Sequence, residues 1–252
     1  MKALISGASS GIGRDMARVL SDLGYDLILV ARRKTKLEKL QKELKTNVEI
    51  IPMDISSTYN CMSLYNQVKK QDIDIVINNA GFGVCGEFVN TNIDKELDMI
   101  DINIKTVHTL TKLFLKDFKA KDKGYILNVS SSSAFLPGPL MASYYGTKAY
   151  VYQLTTAISE ELRREKSNVY VGVLCPGPVD TEFMKVAKVK FSIKSLNSYD
   201  VSEYAIKKMF KRKKVIIPGI KMKLGVLLCK LTPLWLKLRV SYKIQNGKRE
   251  TN

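Results

Sequence analysis

Short apolar runs alternate with longer amphipathic stretches along most of this 252-residue chain. Residues 2–6, 26–31, 48–52, 74–78, 124–130, 169–175 and 214–218 are apolar runs of strand length. They are near-continuous, as strands buried on both faces are. Between them, 11–23, 57–70, 103–119 and 144–166 read as helices; Met16, Ala17, Val19, Leu20 and Leu23 fall at helical spacing in the first. The alternation predicts an α/β fold, a parallel sheet covered on both faces with its ligand at the carboxyl ends of the strands. No internal repeat, low-complexity tract or linker interrupts it, so residues 1–252 read as one domain long enough to bury a large core.

Chemistry gathers at the predicted strand ends. The first strand runs into Gly7-Ala8-Ser9-Ser10-Gly11-Ile12-Gly13 and then a helix, an order that presents backbone N–H groups and a helix N-terminus to a pyrophosphate. Its G-x-x-x-G-x-G spacing departs from the common dinucleotide pattern, and a tight turn without a ligand is the alternative. The second strand ends at Ala31-Arg32-Arg33. An arginine after that strand suits a 2′-phosphate where an acid would suit a free ribose hydroxyl, so NADP(H) is expected over NAD(H); a solvated basic loop is the alternative. Tyr144 and Lys148 are four apart and share one face of a helix, 13 residues beyond Ser131. A phenol of pKa ~10 releases its proton poorly at neutral pH, and a neighbouring ammonium favours the phenolate. That pairing fits general acid–base work on a C–O centre. Tyr145 lacks the lysine, since its own fourth neighbour is Ala149.

In their order, these residues resemble the short-chain dehydrogenase/reductase family over roughly residues 2 to 182. The resemblance implies a Rossmann-like, doubly wound parallel sheet of about seven strands with helices on both faces. It implies a cofactor turn at Gly7, Ser9, Ser10, Gly11, Ile12 and Gly13, with Ser6 where threonine is usual. Asp54 and Ile55 would meet the adenine, and Asn79, Ala80 and Gly81 close the fourth strand. Asn103 is similar to the asparagine whose backbone holds a relay water; Ser131, Tyr144 and Lys148 match the catalytic set. Lys148 would also bind the ribose, and Pro176, Gly177, Val179 and Thr181 would receive the nicotinamide carboxamide. The implied reaction is hydride transfer between NADP(H) and a ketone or secondary alcohol, the oxygen held by Ser131 and Tyr144. Residues 182–200 would form a substrate lid, with Phe183, Met184, Val186, Ala187, Val189, Phe191 and Ile193 facing Phe82, Val84, Leu136, Leu140 and Met141 across the mouth. A lipophilic ketone (3-oxoacyl, sphingoid or steroid) fits such a cleft. Helices 103–119 and 144–166 resemble those that pair subunits, so a homodimer or homotetramer is expected.

Composition narrows the rest. Four cysteines without a C-x-x-C pair, and His108 as the one histidine, point away from metal and from a disulfide scaffold. His108 reads as packing or surface. A first strand opening at residue 2 leaves no room for a signal peptide, so the protein is expected to be cytoplasmic. The net charge of +17 is uneven: residues 205–252 hold 14 Lys and Arg against one acid, Glu250. Within the basic extension 219–252, the residues Ile220, Leu224, Leu227, Leu228, Leu231, Trp235 and Leu238 gather on one helical arc flanked by Lys221, Lys223, Lys230, Lys237 and Arg239. A solvated face, a membrane-surface contact through 220–240, cover for the substrate cleft and a subunit contact all remain open readings. Nucleic acid is not expected, because the basic residues trail the core without interleaved aromatics. The alternative to an enzyme is an NADP(H)-binding sensor or peripheral membrane protein.

Overall fold

A computed structural model describes residues 1–187 and 195–247. Its elements run β1 (Lys2–Ser6), α1 (Gly11–Asp22), β2 (Asp26–Ala31), α2 (Lys34–Glu43), β3 (Val48–Pro52), α3 (Thr58–Val68), β4 (Ile75–Asn78), α4 (Ile93–Ile100), α5 (Thr106–Ala120), β5 (Tyr125–Val129), α6 (Ala142–Arg164), β6 (Tyr170–Leu174), α7 (Phe183–Ala187), α8 (Ser198–Phe210), β7 (Val215–Ile216), α9 (Ile220–Leu231) and α10 (Leu234–Asn246). The strands form one seven-stranded sheet in the order β3-β2-β1-β4-β5-β6-β7, parallel at every pairing. This is the Rossmann-like doubly wound sheet expected from the sequence.

The pleat divides the apolar runs between two faces. Ala3 and Ile5, Leu27 and Leu29, and Ile75 and Ile77 point to the layer holding α1 and α8, with Met16, Leu20, Ala205 and Met209. Leu4, Ile28, Val30 and Val76 point the other way, onto Leu64 and Val68 of α3 and Leu110, Phe114 and Phe118 of α5. Winding reverses between β1 and β4, which opens the crevice at the carboxyl ends. Below it, the Asn78 amide donates to Asn128 Oδ1 (2.8 Å) and to Thr111 Oγ1 (3.2 Å). The Asn128 amide in turn donates to Thr155 Oγ1 at 3.0 Å. Fully buried polar groups hold one geometry because losing a partner strands the other; here they tie β4, β5, α5 and α6 together beneath the crevice.

Helices α2, α4, α7 and α8 escaped the sequence pattern. α2 buries only Leu37 and Leu40, too little periodicity to stand out. The stretch expected to start a helix at 103 is entered earlier, from α4 through a π-turn at Asp101–Lys105 that leads into α5. Phe118, 1% exposed in the α3–α5 layer, gives a direct check of that layer. Phe118→Ala should lower the unfolding free energy by about 3–5 kcal/mol in urea titrations with no loss of parallel-sheet content.

Candidate active site

The turn after β1 is locked to the end of β4. The Ser6 hydroxyl accepts the N–H groups of Asn79 (3.0 Å) and Ala80 (3.2 Å) and donates to the Ile77 carbonyl (3.4 Å). The Asn79 side-chain amide donates to the carbonyls of Ser6 (3.1 Å) and Gly7 (3.2 Å). Gly7 has φ +67°, and a Cβ there would lie 2.8 Å from Ala80 Cα. Gly11, at φ +53°, is pressed against the Thr181 methyl, 2.9 Å from where its Cβ would be; Gly13 backs onto Asn79 and the Gly7 carbonyl. Ser10, the N-cap of α1, makes no side-chain cap, so the first N–H groups of α1 keep the donors that favour an anion. Ile12 packs on the core, and its carbonyl accepts the Ser202 hydroxyl at 3.1 Å.

The basic residues after β2 divide between the rim and the turn. Arg32 is 74% exposed and only 3.8 Å from Asp54 Oδ2, on the rim. Arg33 instead folds over the turn: its guanidinium donates to Ser9 Oγ (2.8 Å), Ser10 Oγ (2.9 Å) and Glu182 Oε2 (2.6 Å). Lys36 pairs with the same Glu182. Hydrogen bonds from Lys36 and then Arg33 hold the Glu182 carboxyl near 2. Asp54 accepts the Ser56 N–H at 3.0 Å, while the Ile55 carbonyl accepts Thr106 Oγ1 (2.5 Å) and the Cys61 thiol (3.2 Å).

Deeper in the crevice, α6 brings Tyr144 and Lys148 one turn apart, both buried. Lys148 Nζ donates to the Val129 carbonyl (3.1 Å) and lies 5.9 Å from the centre of the Tyr144 ring. Burial lowers the Lys148 ammonium to about 8. It pushes the Tyr144 phenol up to about 12, with the Ser131 and Ser133 hydroxyls drawing it part of the way back. The sequence argument for a phenol drawn down by its lysine is therefore corrected: dehydration, not the ammonium, governs Tyr144 here. Among the four serines, Ser130 is committed to the Lys148 carbonyl (2.7 Å), whereas Ser131 caps a short 3₁₀ turn and accepts the Ser133 N–H at 3.1 Å. Ser133 thus joins Ser131 beside the phenol, a second hydroxyl that spacing to Tyr144 did not single out. Asn103 lies in the π-turn, fully buried. Its side chain accepts the Phe82 N–H (3.1 Å) and donates to the Phe82 carbonyl (2.9 Å) and Thr147 Oγ1 (3.0 Å). Any side chain at Gly81 would strike its Oδ1, 2.5 Å from a Cβ there.

The loop after β6 closes the far side. Pro176 accepts the Ser132 N–H at 2.8 Å, Val179 bridges to Leu196, and Thr181 Oγ1 accepts the Phe183 N–H at 3.3 Å. Gly177 faces Met222 of α9. Phe82, Val84, Met141, Phe183 and Ala187 gather with Tyr144 in one apolar cluster, to which the structure adds Met99, Cys85 and Tyr145. The Phe183 and Tyr144 rings lie 5.3 Å apart. Val186 faces solvent rather than the mouth; Val189, Phe191 and Ile193 of the expected lid lie outside the described residues. His108 is on the surface, its Nδ1 2.7 Å from the Tyr150 hydroxyl.

Residues 1–190 match the family model for short chain dehydrogenases. The chain belongs to this family, oxidoreductases that bind a nicotinamide dinucleotide and act on small molecules. It is 34% identical over 182 residues to an uncharacterized oxidoreductase of Staphylococcus epidermidis, covering 71% of this chain and 78% of that one. It is 35% identical over 198 residues to a very-long-chain 3-oxoacyl-CoA reductase of Pyrenophora tritici-repentis, covering 74% of this chain but only 57% of the reductase. A short-chain dehydrogenase of Sphingobium yanoikuyae, solved with NADPH, superposes with a TM-score of 0.82 at 27% identity, over 94% of this chain and 96% of that one.

Burial of Lys148 has a thermodynamic signature. Its native pKa, about 8, lies below the unfolded value of 10.5. Between those values the unfolded chain binds the extra proton, so stability rises with pH. Below pH 8 the ammonium is charged in both states and its burial penalty is fully present. Lys148→Met should therefore raise the unfolding free energy by about 3 kcal/mol at pH 7, a gain that shrinks between pH 8 and 10.5. Urea titrations across that range check it.

Proposed function

We propose that this protein is an NADP(H)-dependent reductase that converts a ketone to a secondary alcohol, or runs the reverse. The substrate is lipophilic, of the 3-oxoacyl, sphingoid or steroid kind. The observation that carries the reading is the meeting of Tyr144, Ser131 and Lys148 against an apolar cluster roofed by Phe183. Close by, the N-terminus of α1 carries no side-chain cap.

The residues fit the dinucleotide. Glycine is required where Gly7 approaches Ala80 and where Gly11 approaches Thr181, and the free N–H donors of α1 suit a pyrophosphate. The proposed cradle is Gly7, Ser9, Ser10, Gly11, Ile12 and Gly13, with Asp54 and Ile55 at the adenine end. Asn79, Ala80 and Gly81 follow, then Tyr144 and Lys148, then Pro176, Gly177, Val179 and Thr181 at the nicotinamide end. When bound, the cofactor supplies a hydride to the carbonyl carbon. Arg33 and Lys36 carry the 2′-phosphate preference together with Arg32, because their charges already converge on one carboxylate, Glu182, and a phosphate suits the same donors.

Tyr144 and Ser131 hold the ketone oxygen, and Tyr144 gives its proton to that oxygen as alkoxide character develops. A phenol kept near 12 stays protonated throughout the neutral range, so the proton to be given is in place. Lys148 acts at the phenolate left behind: an ammonium beside that ring stabilises the anion in a dry setting, where charge interactions are strong. Asn103 and Ser133 are assigned supporting places, Asn103 holding a relay water through its backbone and Ser133 fixing the phenol with Ser131. Homo-oligomer contacts are placed on α5 and α6. The chain spans about three-fifths of the 3-oxoacyl-CoA reductases it matches, so the acyl class comes here as part of the proposal.

The test is loss of reduced-nicotinamide absorbance with NADPH or NADH and ketones running from small diketones through 3-oxoacyl thioesters to steroids. NADPH should be preferred, and Arg33→Ala should raise its KM at least about tenfold while changing that for NADH little. Binding of NADPH without turnover of any ketone would favour the sensor instead. Tyr144→Phe should cost about 10²–10⁴ in kcat, whereas Tyr145→Phe keeps most of it; equal losses in the two variants would refute the assignment of Tyr144.

A further inference from the structure

α9 and α10 leave most of their large apolar side chains facing outward. An ordinary amphipathic helix turns its apolar arc to the core. On α9 the outward arc is Ile220, Leu224, Leu227, Leu228 and Leu231, exposed by 55–78%. The inward side holds Val226, buried, with Met222 and Cys229 half-buried. α10 is anchored by polar side chains: Ser241 Oγ donates to the Pro137 carbonyl at 3.0 Å, and the Gln245 amide donates to the Tyr145 hydroxyl. Trp235 (59% exposed), Leu238 and Tyr242 face solvent from the same helix. Polar groups attach α10, Val226 and Met222 attach α9, and large apolar side chains face out from both.

Charge decides what such a face meets. At ~100° per residue, Lys223 and Lys230 border one side of the α9 arc and Lys221 the other. Lys237, Arg239 and Lys243 follow on α10, with the Arg239 guanidinium 5.4 Å over the Trp235 ring. Neither helix contains an acidic residue. A second copy meeting this face across a two-fold axis would bring the same lysines against themselves. An apolar arc edged by lysines, with a tryptophan, instead matches acyl chains below and anionic headgroups at the level of the ammoniums. No helix among the described residues is long and apolar enough to cross a membrane, so the helices lie along the surface rather than span it.

We propose that α9 and α10 form a docking face for an anionic lipid surface, Ile220, Leu224, Leu227, Leu228, Leu231 and Trp235 entering the interface and the flanking lysines and arginine contacting acidic headgroups. The anchors place this face beside the crevice, since Met222 packs on Gly177 and Gln245 bonds Tyr145. If the reductase reading holds, a lipophilic ketone then reaches the mouth from the bilayer. The docking itself does not depend on turnover.

The full chain would be co-sedimented with phosphatidylcholine vesicles, with and without phosphatidylglycerol, and its ketone reduction measured separately. Binding to the anionic vesicles should exceed binding to neutral ones at least about tenfold and weaken at high salt. The triple variant Leu227→Ser, Leu228→Ser and Leu231→Ser should lose that binding while keeping its thermal midpoint. Lys221→Gln, Lys230→Gln and Arg239→Gln together should remove the preference for anionic vesicles. Equal retention of vesicle binding by both variants overturns the proposal. So does failure of the native chain to bind vesicles, including the case in which sedimentation velocity finds a lipid-free oligomer that the leucine variant dissolves. Failure of the reductase reading would show only in the turnover assay.

Discussion

Ser6 and Asn79 set the distance between the ends of β1 and β4, and the rest of the site is built out from that junction. One hydroxyl receives two backbone N–H groups while one side-chain amide spans two carbonyls. The N–H groups of Asn79 and Ala80 and the carbonyls of Ser6 and Gly7 thereby find partners inside the junction. The sheet reverses its winding there, so no crossover helix covers the crevice, and the chain can approach itself only where side chains are missing. Gly7 and Gly13 are the points of contact. A bulkier residue at either would push the turn off β4 and take the N-terminus of α1 with it.

The proposed acid–base pair depends on the same packing. Tyr144 and Lys148 lie on the inner face of α6, and burial moves both away from their charged forms, the phenol upward and the ammonium downward. Two groups dried in this way respond strongly to any charge that develops between them, because little water screens it. Asn103 supports them from the π-turn, whose extra residue per turn carries the chain from α4 into α5. Its side-chain bonds to Phe82 and Thr147 connect the mouth of the cleft to α6. The opening of the cleft and the helix bearing the phenol are thus joined through one buried side chain.

At the chain's basic end the logic of burial is inverted. Leucines that would stabilise a core are left in water, while α9 is held by Val226 and Met222 and α10 by the side chains of Ser241 and Gln245. Exposed apolar area on this scale is costly in a monomer and marks an interaction surface. It lies next to the loop after β6, where Met222 meets Gly177.

Much of this was legible in the residues themselves. Buried parallel strands need continuous apolar runs, and all seven fall where those runs predict, though β7 is trimmed to two residues. The spacing of Tyr144 and Lys148 and the glycines after β1 are local consequences of helix and turn geometry, so sequence alone could place them. α2 was hidden because two buried leucines suffice when β2 and β3 supply the rest of the contact. Which arginine covers the turn was decided by tertiary contact: adjacent residues leave a strand in opposite directions, and only Arg33 meets Ser9, Ser10 and Glu182, the last 149 residues away. Spacing likewise could not show that burial outweighs the lysine in setting the Tyr144 phenol, since desolvation depends on everything packed around the ring. The sequence determined the order of elements and the spacing of the proposed reacting groups, because these follow from local periodicity and side-chain chemistry. Their protonation, their partners across the crevice and the outward turn of the C-terminal leucines depend on distances between residues far apart in the chain, and those only folding sets.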